Sequence, residues 1–223
     1  MKRSGSSQGP EAIGHAVREH VEAFLRDVAP PVNHAFADRI ELFATTMARW
    51  GIKMNLTAHP DDPEEIGFHV IDSLMPLALT DVDLIGRFAA SHDILDLGSG
   101  AGFPGLVVAA ASSGRFTLVE SRRKRASFLQ VATAEMQLTN VVVDSRRANQ
   151  VALDARFDVV MGRAFGDPSE FFALAMLGLK PGGLAILYAN PSQSFGAGVR
   201  RIPYRIPRHG QQVDRILAVQ KRI

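Results

Sequence analysis

The pattern of hydrophobic positions divides this chain of 223 residues into two parts. Between residues 11 and 90, apolar side chains recur every three or four positions, which is typical of the buried face of an amphipathic helix. The spacing predicts helices over residues 11–28 and 34–50, and a third helix that follows Pro63. Residues 1–10 are mostly small and polar, with two glycines and one proline, and predict a flexible arm before the first helix.

From residue 91 onward, short apolar strands alternate with helices. Because such alternation is typical of parallel sheets with helices on both faces, residues 91–223 are predicted to form an α/β core. The final apolar segments predict an antiparallel hairpin that completes a mostly parallel sheet of seven strands. The predicted strands are 94–97, 116–119, 141–143, 157–161, 184–188, 202–206 and 215–219, and the helices begin at Pro104, Ser121 and Pro168. The residue 11–90 helical segment is expected to pack on this core.

The composition narrows the class of protein. Hydrophobic residues make up 46% and charged residues 22%, which excludes wholesale disorder. No window approaches the ~18 uninterrupted apolar residues that a membrane span needs, and no apolar run follows Met1-Lys2-Arg3-Ser4, so no secretory signal is expected. The absence of cysteine excludes a disulfide framework, thiolate metal sites and a cysteine nucleophile. A cytoplasmic protein with no membrane partner is predicted.

The basic residues are clustered, although the net charge is only +2. One cluster is Arg122-Arg123-Lys124-Arg125, and a second lies between residues 199 and 223, where seven basic residues accompany the single acid Asp214. Charge clusters, more than total charge, indicate a polyanionic partner. Solvated arginine-rich surfaces with no partner explain the same charges, so charge alone leaves both interpretations open.

The most informative segment is Asp96-Leu97-Gly98-Ser99-Gly100-Ala101-Gly102-Phe103-Pro104-Gly105, which follows the first predicted strand and opens a helix. Glycines there allow a ligand to approach the backbone, and N–H groups at a helix start face that ligand. A dinucleotide fingerprint needs glycine at its sixth position, where this loop has Phe103. Glu120, at the end of the next strand, is placed to hold ribose hydroxyls. The pattern favours S-adenosylmethionine over a ligand-free strand–helix corner.

No metal site or hydrolytic triad is predicted. The histidines are scattered through the sequence without the spacing of metal ligands. His69 and Asp72 lie three positions apart on a predicted helix and therefore share a face. We expect a structural hydrogen bond between these two side chains.

Several sequence blocks, in order, carry a resemblance to a known family. The blocks are Asn55-Leu56-Thr57-Ala58, His69-x-x-Asp72-Ser73-Leu74, the glycine loop from Leu97 to Gly105, Thr117-Leu118-Val119-Glu120-Ser121, and Phe157-Asp158-Val159-Val160 followed by Arg163-Ala164. Through them the chain resembles the class I S-adenosylmethionine-dependent methyltransferases, and within these the GidB/RsmG family of bacterial small-subunit rRNA guanine-N7 methyltransferases. The resemblance runs from about Trp50 to the end of the chain, and it implies a Rossmann-like fold.

The resemblance also implies roles for individual residues. Glu120 is expected to hold the ribose, Ala148 and Asn149 to flank the adenine, and Arg163 to line both the cofactor and the target. Asn149 stands where the family has glutamate, and its amide offers both a donor and an acceptor to the adenine edge. The full set of expected cofactor-binding residues is Asp96, Gly98, Ser99, Gly100, Gly102, Phe103, Glu120, Ala148, Asn149 and Arg163.

Methylation of guanine N7 requires no general base, because N7 carries a lone pair and no proton. An arginine that forks onto O6 and N7 would occupy the attacking lone pair. We therefore expect Arg163 to act as a positioning residue that contacts O6, a phosphate or the cofactor carboxylate, and not N7. Small-subunit rRNA, free or in the ribosomal subunit, is the expected partner of a monomeric enzyme, and the expected phosphate contacts are Arg122, Arg123, Lys124, Arg125, Arg200 and Arg201.

The chain departs from the family pattern near its C-terminal end. Tyr188-Ala189-Asn190-Pro191 replaces a usual Lys-Gly, and only ten residues, 192–201, precede the hairpin where a helix commonly follows the fifth strand. Two alternative functions remain open: an S-adenosylmethionine-binding protein that has lost its activity, and an enzyme that methylates a small molecule.

Overall fold

The computed structural model describes residues 9–54, 56–147 and 153–223. Three helices come first, and strands and helices then alternate, as the hydrophobic pattern predicts. The helices are α1 (Pro10–Val28), α2 (Phe36–Met54), α3 (Pro63–Ala78), α4 (Gly105–Ala111), α5 (Arg123–Glu135) and α6 (Pro168–Gly178). The strands are β1 (Asp93–Leu97), β2 (Arg115–Val119), β3 (Val141–Asp144), β4 (Phe157–Arg163), β5 (Leu179–Ala189), β6 (Arg200–Arg208) and β7 (Gln211–Lys221).

The seven strands form one sheet in the order β3-β2-β1-β4-β5-β7-β6. The first five are parallel, and β7 runs antiparallel to both β5 and β6. The strand order reverses direction between β1 and β4, which are paired with Leu95 opposite Val160. In open α/β sheets a ligand binds in the crevice at the carboxyl ends of such strands. The glycine loop after β1 and the end of β4 therefore lie at this crevice.

The helical segment and the sheet share one hydrophobic cluster. Ile13 of α1, Phe43 of α2 and Ile71 of α3 are buried together with Val107 of α4 and Phe128 of α5. Apolar area removed from water stabilises the fold by roughly 25 cal/mol per Å², so this shared cluster holds the helices to the sheet. It also gives α3 a fixed position beside the crevice.

Helix α3 is almost completely buried, and its start is well defined. The Asp62 side chain caps it by accepting the N–H groups of Glu64 and Glu65 at 2.9 and 3.3 Å, and Pro63 occupies the first turn. Its buried residues include the charged Asp72. A buried carboxylate is costly unless it is paired, so Asp72 requires partners from the surrounding elements.

The main differences from the predicted elements are at their ends. Helix α2 continues to Met54, past the predicted end at Trp50, and β6 and β7 are longer than the predicted segments. The hairpin turn at His209 and Gly210, with φ of 47° and 71°, lets the strands stay paired up to the turn. Residues 190–199 contain no helix, as expected from their length. Among the described helices, none is long and apolar enough to cross a membrane.

Candidate active site

A cleft of about 620 Å³ opens at the crevice. Two groups of lining residues form its walls. The glycine wall is Gly98, Ser99, Gly100, Ala101 and Phe103, and the charged wall is His69, Asp72, Arg163, Arg208 and Arg215. A cleft of this size is typical of small-molecule and cofactor sites.

The glycine wall is made mainly of backbone. The N–H groups of Gly98 and Ser99 both donate to the Val119 carbonyl oxygen, at 2.9 and 3.0 Å. Gly98 has a φ of +75°, and a Cβ built on it would meet no atom within 4 Å. Gly98 therefore leaves open space beside a lining backbone, as expected for a loop that a ligand approaches closely.

Two acidic residues support this loop from beneath. Both Asp96 and Glu120 are buried. Glu120 accepts the N–H groups of Gly100 at 3.0 Å and Arg122 at 2.7 Å. Asp96 accepts the Gly105 N–H through Oδ2 at 3.1 Å, while its Oδ1 meets no partner in the described part of the chain. Burial raises the pKa of Asp96 to about 7, against the opposing effects of hydrogen bonds and Arg163.

Three of the predicted cofactor residues, namely Asp96, Gly102 and Glu120, are not among the cleft-lining residues. Gly102 packs against α4, because a Cβ built on it would lie 2.7 Å from Leu106 Cδ1. Asp96 and Glu120 are used in hydrogen bonds to the backbone of the loop itself. Asp96 and Gly102 therefore shape the glycine wall from behind, while Glu120 ties the backbone of the wall to the start of α5.

Arg163, at the end of β4, joins the two walls. Its Nη1 atom lies 3.1 Å from His69 Nδ1 and 3.6 Å from Asp72 Oδ2. Its guanidinium carbon lies 4.8 Å from the centroid of the Phe103 ring, within the range of a cation–π contact. Only 16% of the Arg163 side chain is exposed, so its direction is fixed.

Asp72 is the buried anion of the charged wall. Tyr204 Oη donates to its Oδ1 at 2.6 Å, and Arg215 donates from Nε to Oδ1 at 3.3 Å and from Nη2 to Oδ2 at 3.2 Å. The expected hydrogen bond between His69 and Asp72 is wrong: His69 instead contacts Arg163. The reason is that donors from β6 and β7 occupy both carboxylate oxygens.

His69 is held neutral by its surroundings. Burial lowers the pKa of His69 to about 3, and the nearby Arg163 acts in the same direction, while Asp72 and Glu65 oppose it less strongly. The ring also packs beside Phe103, with ring centroids 5.2 Å apart. Within the described residues, no group of three or more histidine or acidic side chains is arranged to hold a metal ion.

The expected phosphate-binding arginines fall into two environments. Among the described residues, the side chains of the cluster at the start of α5, Arg122-Arg123-Lys124-Arg125, form no ion pair with a carboxylate within 4.0 Å, and Arg125 also lines the cleft. Arg200, in contrast, pairs with Asp81 at 2.6 Å and Asp83 at 2.9 Å. Arg201 donates to the backbone carbonyl oxygens of Pro191 and Gln193.

Two predicted adenine-flanking residues, Ala148 and Asn149, lie outside the described residues, as does Asn55 of the first sequence block. The structure also adds cleft residues that the sequence analysis missed. Tyr188 lines the cleft and donates to the Ser73 carbonyl oxygen at 2.8 Å. Tyr204 and Arg215 face each other across the hairpin, but nothing in their local sequence indicates that both reach Asp72.

The chain matches a known protein family over most of its length. The family model of GidB, described as rRNA small subunit methyltransferase G, matches residues 37–194. The chain belongs to the GidB family. The match includes the glycine wall, His69, Asp72 and Arg163, and it ends before the β6–β7 hairpin that supplies Tyr204 and Arg215.

Two relatives of this GidB chain carry the same name. Ribosomal RNA small subunit methyltransferase G of Polynucleobacter asymbioticus is 38% identical over 150 residues, which are 65% of each chain. The protein of that name from Burkholderia pseudomallei is 35% identical over 192 residues, 81% of each chain. The chain thus spans just under two thirds of the length of the first relative and four fifths of the second.

Solved structures of other proteins share the fold. The tRNA methyltransferase TrmI from Aquifex aeolicus matches with a TM-score of 0.53 at 13% identity, over 69% of this chain and 68% of its own. TYW2 from M. jannaschii, solved in complex with AdoMet, matches with a TM-score of 0.51 at 15% identity, over 70% and 76% of the two chains. At these identities the likeness concerns the fold alone, which is Rossmann-like.

Proposed function

We propose that this protein transfers a methyl group from S-adenosylmethionine to N7 of a guanine in small-subunit ribosomal RNA. The observation that carries the proposal is the glycine wall, which meets Arg163 in one cleft of a GidB-family chain. The relatives named ribosomal RNA small subunit methyltransferase G supply the class of substrate. The guanine and its N7 atom are the finer part of the proposal.

The donor groups of the cleft fit S-adenosylmethionine. Gly98 leaves room for close approach to the backbone, and Arg163 and Arg125 offer positive charge to a carboxylate. Each Glu120 oxygen accepts one N–H group, so lone pairs remain for ribose hydroxyls. When bound, this cofactor supplies the electrophilic methyl group. We assign Ser99, Gly100 and Phe103 to its binding surface, Asp96 and Gly102 to support of the loop, and Ala148 and Asn149 to the adenine.

The residues of the chain contribute orientation rather than proton transfer. Guanine N7 has a lone pair and no proton, so no side chain needs to act as a base. Arg163 is held by His69 and Asp72 above the Phe103 ring, which fixes a positive group at the border of the two walls. We assign Arg163 to the O6 atom, a phosphate or the cofactor carboxylate, leaving N7 free. Precise positioning of this kind accounts for roughly 7–11 kcal/mol of barrier lowering at best.

The charges of the cleft and its rim suit a nucleic acid. Among the residues that the structure describes, four arginines and one carboxylate line the cleft, and the start of α5 adds Arg122, Arg123 and Lys124. We assign Arg125 at the cleft, together with Arg122, Arg123 and Lys124, to phosphates. Arg200 and Arg201 keep the same assignment with a smaller contribution, because Arg200 must exchange Asp81 and Asp83 for a phosphate. The target guanine must lie in a loop or leave its helix, since N7 in an RNA duplex faces a deep, narrow groove.

The test is to map N7-methylguanine in small-subunit rRNA by borohydride–aniline cleavage in cells with and without the gene. We expect a cleavage site that disappears on deletion and returns with the wild-type gene. A Gly98→Val gene should not restore it, because the added side chain enters the open space of the cleft. An unchanged cleavage pattern contradicts the RNA part of the proposal, and a protein that still binds S-adenosylhomocysteine in that case retains the cofactor part.

A further inference from the structure

The His69 ring is held in the cleft by defined contacts. Its Nδ1 atom lies 3.1 Å from Arg163 Nη1. Two rings pack against it: Phe68, the preceding residue of α3, and Phe103 of the glycine wall, with centroids 5.4 and 5.2 Å away. The position of the ring, next to the Phe103 end of the glycine wall, is therefore fixed.

The contact with Arg163 determines which ring nitrogen carries the proton. An arginine guanidinium only donates hydrogen bonds, so Nδ1 must be the acceptor. The ring is neutral near physiological pH, because burial and Arg163 hold the pKa of His69 near 3 while Asp72 and Glu65 favour the charged form and Arg208 opposes it. A neutral imidazole has a single N–H group, and here that group is at Nε2.

The Nε2–H group is available to a ligand. Among the described residues, no acceptor forms a hydrogen bond with Nε2, and Nε2 is not one of the fully buried polar atoms that lack a partner. The His69 side chain also lines the cleft. Moving the proton to Nδ1 would set two donors, Nδ1–H and Arg163 Nη1–H, against each other. His69 thus presents to the cleft a donor that cannot change into an acceptor.

We infer that His69 is a specificity-determining residue, which donates from Nε2 to the carbonyl oxygen at position 6 of the target purine. Guanine carries an acceptor there, whereas adenine carries an amino donor. O6 and N7 are neighbours on one edge of guanine, so a donor beside the glycine wall that holds O6 also keeps N7 at that wall. This inference rests on the proposed function and adds the group that recognises the base.

The test uses an RNA fragment that contains the mapped site with guanine, inosine or 2,6-diaminopurine at the target position. Inosine keeps the carbonyl oxygen, and 2,6-diaminopurine replaces it with an amino group while keeping N7. We expect the wild-type enzyme to methylate guanine and inosine RNA at similar kcat/KM, and 2,6-diaminopurine RNA about a hundredfold or more slowly. Such a loss is typical when a buried donor is left facing another donor.

Two variants separate the cleft donor from the contact with Arg163. His69→Asn keeps an acceptor near the position of Nδ1 and removes the Nε2–H group, so kcat/KM for guanine RNA should fall roughly tenfold to hundredfold while 2,6-diaminopurine RNA changes little. His69→Gln places an amide N–H near the position of Nε2 and should recover part of the preference. A His69→Asn enzyme that keeps the full wild-type preference for guanine overturns the inference.

A spectroscopic arm does not depend on turnover. Long-range ¹H–¹⁵N spectra of histidine-labelled protein, saturated with S-adenosylhomocysteine, should show His69 neutral and protonated at Nε2 from about pH 5 to about pH 8. Guanosine and inosine monophosphates should shift the Nε2 signal, and adenosine monophosphate should not. A ring protonated at Nδ1 overturns the inference. If the wild-type enzyme methylates guanine and 2,6-diaminopurine RNA at equal rates, the inference about His69 is overturned and the proposed function stands. If it methylates none of the three RNAs, both the inference and the proposed function are overturned.

Discussion

The two walls of the cleft are built by different means. The glycine wall comes from residues 98–103, and its backbone is tied to the adjacent strand through Val119 and Glu120. The charged wall is assembled from side chains of α3, β4, β6 and β7, and Tyr204 reaches Asp72 across 132 positions of sequence. A wall of consecutive backbone groups depends on local conformation, whereas a wall of distant side chains depends on every partner. The charged wall should therefore be the more sensitive to single substitutions.

The largest effect is expected from Asp72→Asn. The change removes the buried negative charge between Arg163 and Arg215, and breaking a buried ion pair costs about 3–5 kcal/mol. Urea denaturation should show this loss in the free energy of unfolding. Asp214→Asn is the control, because Asp214 pairs with Arg205 on the exposed face of the same hairpin and such pairs contribute about 1 kcal/mol or less. Equal losses in the two variants would contradict the distinction.

The glycine wall also rests on the buried carboxyl group of Asp96, and Asp96→Asn tests how much stability the protein loses by burying its charged form. The raised pKa of Asp96, about 7, means that the folded protein binds more protons than the unfolded chain between about pH 4 and pH 7. The contribution of Asp96 to the free energy of unfolding of the wild-type protein therefore falls as the pH rises through that window. The variant should gain up to about 4 kcal/mol relative to wild type above pH 7, and much less near pH 4.

The measurement for Asp96→Asn is the difference in unfolding free energy between the two proteins across that pH range. His69 contributes a slope of opposite sign, because its pKa is lowered to about 3 and stability is lost as the pH falls below about 6.5. That slope is common to both proteins and cancels in the difference. Stability curves that stay parallel from pH 4 to pH 8 would rule out a neutral Asp96 in the folded state.

A matched pair of glycines separates the support of the glycine wall from its surface. An added Cβ at Gly105 would lie 2.4 Å from both Asp96 Oδ2 and Leu118 Cδ2, whereas one at Gly98 would meet only open cleft. Gly105→Ala should cost about 1–3 kcal/mol of stability through overpacking. Gly98→Ala should cost about 1 kcal/mol of stability through its left-handed backbone, and the free energy of S-adenosylhomocysteine binding should weaken by more than that. The reverse pattern would contradict the assignment of these two positions.

The smallest effect concerns the rim of the cleft. The Arg122→Ala, Arg123→Ala double variant should reduce the salt dependence of RNA binding, by about 0.7 in the logarithmic slope for each lost phosphate contact with a single strand. Arg200→Ala should change the slope less, because Asp81 and Asp83 already neutralise Arg200. Filter binding at several salt concentrations measures both slopes, and a larger change for Arg200→Ala would show that the ion pairs open in the complex.

Much of the fold was predictable because its signals are local. The alternation of strands and helices predicted the sheet, and the glycines from Gly98 to Gly102 predicted an open loop, which the structure places at the cleft, since both depend on neighbouring residues. The family resemblance supplied Arg163 as a site residue, and the structure places it between the walls. The resemblance alone does not indicate which side chains contact Arg163.

The parts that were missed depend on packing between distant segments. His69 and Asp72 share a helix face, which favoured a bond between them, but Asp72 is occupied by Tyr204 and Arg215 from the hairpin. In the same way, the basic residues near the C-terminal end gave no sign that Arg200 meets Asp81, 119 positions away. The pairing of side chains across such separations follows from the assembled fold.

Calorimetric titration of the purified protein with S-adenosylhomocysteine tests the central claim most directly, because it asks whether the glycine wall holds an adenosyl ligand. We predict saturable binding at one site per chain, weakened by Gly98→Ala while the melting temperature of the free protein falls by only a few degrees, as expected for about 1 kcal/mol of backbone strain. An absence of binding heat for the folded wild-type protein, at every ligand concentration that can be reached, would contradict the account.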